Sequence, residues 1–150
     1  MTTLKQGDKA PEFEGTIQDG STIRLSDYLG KKVVLYFYPK DNTPGCTAQS
    51  CNLRDNYKLL LKKGFEVLGI NSDSERKHVN FRKKYDLPFD LIADTDLTIH
   101  HLYGTWGEKQ MYGRKFMGTY RITFVISENG TIEEVISKVK TKDHTTQIIK

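Results

Sequence analysis

The sequence predicts an α/β fold: a mixed β-sheet flanked by helices, with an N-terminal β-hairpin. Three observations carry that expectation. The runs "KKVVLYFY" (31–38) and "FEVLGIN" (65–71) are continuously apolar rather than alternating, as expected of strands covered on both faces. Segments of helical period separate the strand-like runs, as in a sheet with crossover helices. Near the C-terminus, two strand-like runs flank Glu128-Asn129-Gly130, a hairpin signal that adds an antiparallel pair.

The elements follow in order. "GTIQDGSTIRL" (15–25) reads as a hairpin turning at Asp19-Gly20. The strand 31–38 ends at Pro39. Residues 47–63 form a helix stopped by Gly64, with Leu53, Tyr57, Leu60 and Leu61 on one apolar stripe. After the strand 65–71, "DSERKHVNFRKKYD" is a polar helix capped by Ser74 or Asp73. "PFDLIAD" is a short strand, and "DLTIHHLY" a short helix with His100 and His101 on its surface. "GTWGEKQMYGRKFMGTY" (104–120) fits neither pattern. Its glycines and aromatics suggest an ordered surface loop, and a loop that long in a compact domain is often functional. Residues 120–127 and 130–137 form the last hairpin, and the tail from Asp143 closes in one or two helical turns.

At 150 residues, without repeats or low-complexity tracts, one domain spanning 1–150 is the simplest organisation. The net charge of +4 is spread through interleaved acids and bases, unlike the concentrated basic face of a nucleic-acid binder. The N-terminus lacks the apolar region of a secretory signal, and no run is long enough to span a membrane. A cytoplasmic address is therefore the default expectation. In that reducing compartment a purely structural disulfide is a weak explanation for the two cysteines.

Both cysteines lie in "PKDNTPGCTAQSC" (39–51). Thr43 suits the N-cap and Pro44 the first helical position, which puts Cys46 in the first turn. Unpaired N–H groups and the positive end of the helix dipole favour an anion there, and the thiolate is the reactive form of cysteine. Cys46 falls about 20° from Leu53 around the axis and Cys51 about 160° away, so the pair is one sheltered and one more exposed thiol. Zinc has no second ligand pair among His78, His100, His101 and His144, and the C-x-x-C of dithiol exchange enzymes is absent. Asp94 and Asp96 read as a strand end and a helix cap rather than a cation site. Spacing alone leaves two readings open, a reactive Cys46 or a small buried hydrophobe with Cys51 incidental. For Arg121, alternation in "YRITFVIS" suggests no more than the polar face of a strand.

"YFYPKDNTPGCTAQSCNLRDNY" resembles the active-site segment of peroxiredoxins, in particular the bacterioferritin comigratory protein or peroxiredoxin Q subgroup. The signature P-x-x-x-T-x-x-C is present as Pro39, Thr43 and Cys46, and the subgroup's second cysteine, five residues on, is Cys51. "VLGINSDS", "YGTWGEK", "YRITFVIS" and "NGTIEEV" follow in the subgroup's order and spacing, so the similarity covers almost the whole chain. The resemblance implies a thioredoxin-like fold and a thiol peroxidase acting on hydrogen peroxide and organic hydroperoxides. It implies Cys46 as peroxidatic nucleophile, Cys51 as resolving cysteine, Thr43 as hydrogen-bonding thiolate and peroxide, Pro39 as shield and Arg121 as the cation paired with the thiolate. Gln49, where many members carry Glu, has a supporting role, and Trp106 either lines the same pocket or packs. The resemblance further implies thioredoxin as reductant, no metal or organic cofactor, and a monomer. The final helix is shorter than the subgroup's usual one. On an intact helix Cα atoms five residues apart are roughly 8–9 Å apart. A disulfide needs about 4.4–6.8 Å, so pairing Cys46 with Cys51 requires the helix to unwind.

Overall fold

The computed structural model describes residues 1–150. Its central sheet is built from β3 (Lys32–Phe37), β4 (Phe65–Asn71), β5 (Asp90–Ala93), β8 (Ile122–Ile126) and β9 (Ile132–Ile136). These five strands lie in the order β5-β4-β3-β8-β9. β3, β4 and β5 are mutually parallel; β8 is antiparallel to β3 and β9 to β8. The sheet is mixed, as the sequence pattern predicts. β1 (Glu14–Thr16) and β2 (Thr22–Arg24) form the expected N-terminal hairpin.

The period of two in a strand divides the apolar runs between two cores. Val33, Leu35 and Phe37 of β3 face one cluster, with Ile122, Phe124 and Ile126 of β8 and with Phe13, Ile99 and Tyr103. Val34, Tyr36 and Tyr38 face the other, with Cys46, Leu53, Leu60, Phe81 and Ile148. Helices α1 (Pro44–Asp55), α2 (Tyr57–Lys62), α3 (Glu75–Tyr85) and α5 (His144–Ile148) thus contribute to the second core, while α4 (Thr98–Tyr103) packs into the first. Every residue of β8 is buried.

Three expectations need correction. The helix expected over 47–63 starts earlier, at Pro44, and is two helices broken at Asn56, whose backbone adopts φ −110° and ψ 12°. The Asn56 side chain donates to the Asn52 carbonyl at 2.8 Å, offering that oxygen a partner other than the helical N–H. The segment expected as a loop over 104–120 is instead a β-hairpin, β6 (Trp106–Met111) and β7 (Arg114–Thr119), registered from Trp106↔Thr119 to Met111↔Arg114. Its two-residue turn, Tyr112-Gly113, has positive φ at both positions (52° and 76°), as a primed turn requires. Finally, His100 is buried rather than on the helix surface. Asp94 and Asp96 do terminate β5 and cap α4, accepting from the N–H groups of Ile99, His100 and Thr98.

Candidate active site

Strand register brings the site together. Phe37 of β3 pairs with Ile122 of β8. Arg121, just before β8, therefore emerges at the same sheet end where β3 passes the chain to Pro39 and α1. Thr43 is extended at the N-cap and Pro44 opens the helix, so Cys46 lies in its first turn on the face packed against the sheet. The Arg121 guanidinium reaches back over that turn. Nη2 donates to Cys46 Sγ at 3.3 Å and Nη1 to Gln49 Oε1 at 2.6 Å. Cys46 and Gln49 are one helical turn apart, so a single planar fork spans both. Gly45 permits the approach, because a Cβ there would lie 3.2 Å from Nη2. Gln49 Nε2 is buried without a hydrogen-bond partner, which penalises the folded turn by about 1–3 kcal/mol.

Pro39, Thr43, Cys46, Trp106 and Arg121 all line one cleft of about 520 Å³. Cys46 is fully buried beneath the cleft that it helps to line. Arg121 lies just before β8 rather than within it, and is half-buried over α1. Thr43 holds the N-cap backbone, but its hydroxyl donates to Lys40 O at 2.8 Å and does not cap the helix. Cys51 is outside the cleft and half-buried on the same helix. Burial pushes its thiol up; Arg54 opposes this and Asp55 adds to it. The sheltered and exposed thiols are disposed as the helix geometry predicts.

Other residues of the site carried no sequence signal. Lys109, Phe116 and Met117, from the unanticipated hairpin, form the opposite wall. The Lys109 ammonium is pushed down by burial and by Arg121, with Cys46 opposing. It donates to Thr119 O at 3.0 Å. Buried His100 ties this wall to the sheet, with Nδ1 at 2.6 Å from Asp94 Oδ2 and Nε2 at 2.9 Å from Thr119 Oγ1. A second buried group fixes the loop before α1. The Asp41 carboxylate accepts from Tyr38 and Asn71 and lies 2.6 Å from His78 Nδ1, while His78 Nε2 faces Ile92 O.

The C-terminal segment also reaches the site. His144 is buried, with Nε2 2.8 Å from Thr123 Oγ1 and Nδ1 2.8 Å from Gln147 Oε1. Burial pushes its imidazole below the usual 6.5; the Gln147 bond opposes this, and Arg121 repels the charged form. Because its pKa is lower in the folded chain, the unfolded chain binds the proton first. The stability that neutral His144 contributes is complete above pH 6.5 and is lost as pH falls below that value. Urea midpoints should therefore drop between roughly pH 7.5 and pH 5.5, and drop less in His144→Asn. An equal drop in both proteins would contradict the assignment.

This geometry has close relatives. Residues 6–135 match the AhpC/TSA family. The chain is 45% identical over 144 residues to peroxiredoxin Bcp of Escherichia coli K12, covering 96% of this chain and 92% of that one. It is 40% identical over 147 residues to peroxiredoxin Bcp of Bacillus subtilis, covering 98% and 94%. Among solved structures, a mutant of Xylella fastidiosa PrxQ superposes with a TM-score of 0.92 at 29% identity, covering 99% and 94% of the two chains. Mycobacterium tuberculosis BcpB does so with a TM-score of 0.85 at 32% identity, covering 96% and 93%. These relationships bear out the thioredoxin-like fold that the resemblance implied. No helix of the chain is long and apolar enough to cross a membrane. By sequence and by fold, the chain belongs to the AhpC/TSA family and is a peroxiredoxin of the Bcp/PrxQ kind.

Proposed function

We propose that Cys46 is the peroxidatic nucleophile of a thiol-specific peroxidase acting on hydrogen peroxide and organic hydroperoxides, with Cys51 as its resolving thiol. The observation that carries this reading is the 3.3 Å contact from Arg121 Nη2 to Cys46 Sγ at the floor of the cleft. The Cys46 thiolate attacks one peroxide oxygen. An S–O bond forms, the O–O bond breaks, and the departing oxygen leaves as water or alcohol once protonated. Sulfur is oxidised to the sulfenic acid and the peroxide is reduced. Arg121 supplies fixed donors to negative charge on sulfur and on the transferring oxygen. Pro39 narrows the approach. The Thr43 hydroxyl, its proton engaged by Lys40 O, keeps acceptor lone pairs for the peroxide O–H.

The Cys51 thiol then condenses with the sulfenic acid. An S–S bond forms, the S–O bond breaks, and water leaves. The helix that carries both residues is unbroken from Pro44 to Asp55. Ideal geometry puts their Cα atoms roughly 8–9 Å apart, beyond the span of about 4.4–6.8 Å that a disulfide bridges. Resolution therefore proceeds through local unwinding of α1. A dithiol protein, thioredoxin or one like it, reopens the bridge, and no metal or organic cofactor takes part. All 150 residues act as one domain, and the enzyme works as a cytoplasmic monomer.

The test is to titrate reduced protein with one equivalent of hydrogen peroxide while following backbone amide shifts. Large changes centred on residues 43–56, together with loss of both free thiols, are expected. Identical shifts in the two states, or survival of both thiols, would overturn the proposal.

A further inference from the structure

Asn52, directly after Cys51, ties α1 to the C-terminal segment. Its Nδ2 donates to Lys142 O at 3.0 Å, and its Oδ1 accepts from both the N–H and the hydroxyl of Thr145 at 2.8 Å. Thr145 is buried. The segment is itself anchored, since His144 bonds Thr123 of β8 and Ile148 enters the core that holds Cys46. A half-buried asparagine satisfied on both ends fixes helix and segment in one register. Against it works the orphaned Gln49 Nε2, which is desolvated while α1 is folded and free to bond water once the helix opens. α1 is thus held closed at one turn and strained at another.

We infer that Asn52 and Thr145 form a latch that sets how readily α1 opens, and thereby how long the Cys46 sulfenic acid persists before Cys51 reaches it. This rests on the reading of Cys46 and Cys51 above. Two fates compete for the sulfenic acid. Condensation with Cys51 forms S–S and releases water. Attack by the sulfenate on a second peroxide forms another S–O bond, breaks that peroxide's O–O bond and yields sulfinic acid plus water or alcohol. Only the first needs an open helix, so the latch governs the partition between them. Asn52 is a positioning residue, because it acts through the helix and does not touch the reacting atoms.

The experiment compares wild type, Asn52→Ala and Thr145→Val as full-length reduced proteins. In Asn52→Ala, amide hydrogen exchange across Pro44–Asp55 should rise roughly tenfold, as expected when several hydrogen bonds are lost from a local opening equilibrium. Disulfide formation after a hydrogen peroxide pulse, followed by acid quench and intact mass, should quicken by a similar factor. The ratio of disulfide to sulfinic acid at excess peroxide should rise with it. Thr145→Val keeps its backbone N–H, so it should shift the same ratio in the same direction by a smaller factor, which covers the case in which Asn52→Ala fails to fold. A lowered melting temperature with an unchanged ratio would overturn the latch, as would unchanged exchange. A wild-type protein that leaves peroxide unconsumed would instead sink the reading of Cys46.

Discussion

Cys46→Ser is expected to end peroxide consumption, whatever reductant is supplied, while Cys51→Ser reacts to the sulfenic acid but does not turn over. Serine is a slightly smaller replacement whose oxygen can still accept from Arg121. Its hydroxyl, however, is a weak nucleophile at neutral pH without an adjacent general base, and the side chain hydrogen-bonded to Cys46 Sγ is a guanidinium, which is not one. The Cys51 variant keeps the cleft and Arg121 intact, so the first oxidation proceeds, but no thiol remains to condense. With further peroxide its sulfenic acid should climb to sulfinic acid, gaining a second oxygen by intact mass. A coupled assay with thioredoxin, thioredoxin reductase and NADPH separates the two variants from wild type by turnover. Mass spectrometry then separates them from each other. Sustained turnover by Cys51→Ser would place the resolving thiol elsewhere, on another molecule or on the reductant itself.

Much of this site is legible in the amino-acid sequence, because its determinants are local. The turn Thr43-Pro44-Gly45 announces a helix start, and the spacing from Leu53 turns Cys46 inward and Cys51 outward; burial bears out both. The apolar runs of β3 and β4 mark strands with two covered faces, which is what they are. The misreadings and the contacts that went unread share a cause: the deciding partner is distant or the turn chemistry atypical. Tyr112 takes a positive φ in a turn where Asn or Gly is the usual signal, so Gly113 alone marks the β6–β7 hairpin in the local sequence. His78 is buried against Asp41, which is 37 residues away, and no periodic pattern encodes that pairing. His100 looks like surface on a short helix until Asp94 and Thr119 close on both ring nitrogens. The Asn52–Thr145 contact spans 93 residues. Arg121 lies one residue before β8, and its partner Cys46 is 75 residues away, so strand alternation does not reveal the contact.

Arg121 is also where the second large effect is expected. Arg121→Gln should lower the second-order rate constant for hydrogen peroxide about 10²–10³-fold, the range seen when one preorganised donor to developing charge is removed. The argument rests on geometry. The guanidinium reaches Cys46 Sγ with one nitrogen while Gln49 Oε1, at 2.6 Å, holds the other, so orientation is fixed before substrate arrives. Gln49 is neutral, and the positive charge is not shared with a carboxylate. Arg121→Lys keeps a cation but loses the fork, since an ammonium cannot span Cys46 and Gln49 in one plane. It should fall between wild type and Arg121→Gln. Stopped-flow peroxide pulses on the reduced proteins measure the rates, and thermal melts measure stability on the same samples. If Arg121 served only to pack α1 against β8, both variants would melt earlier yet react at the wild-type rate. If it is the cation that holds sulfur ready, the rate falls in the order Arg, Lys, Gln.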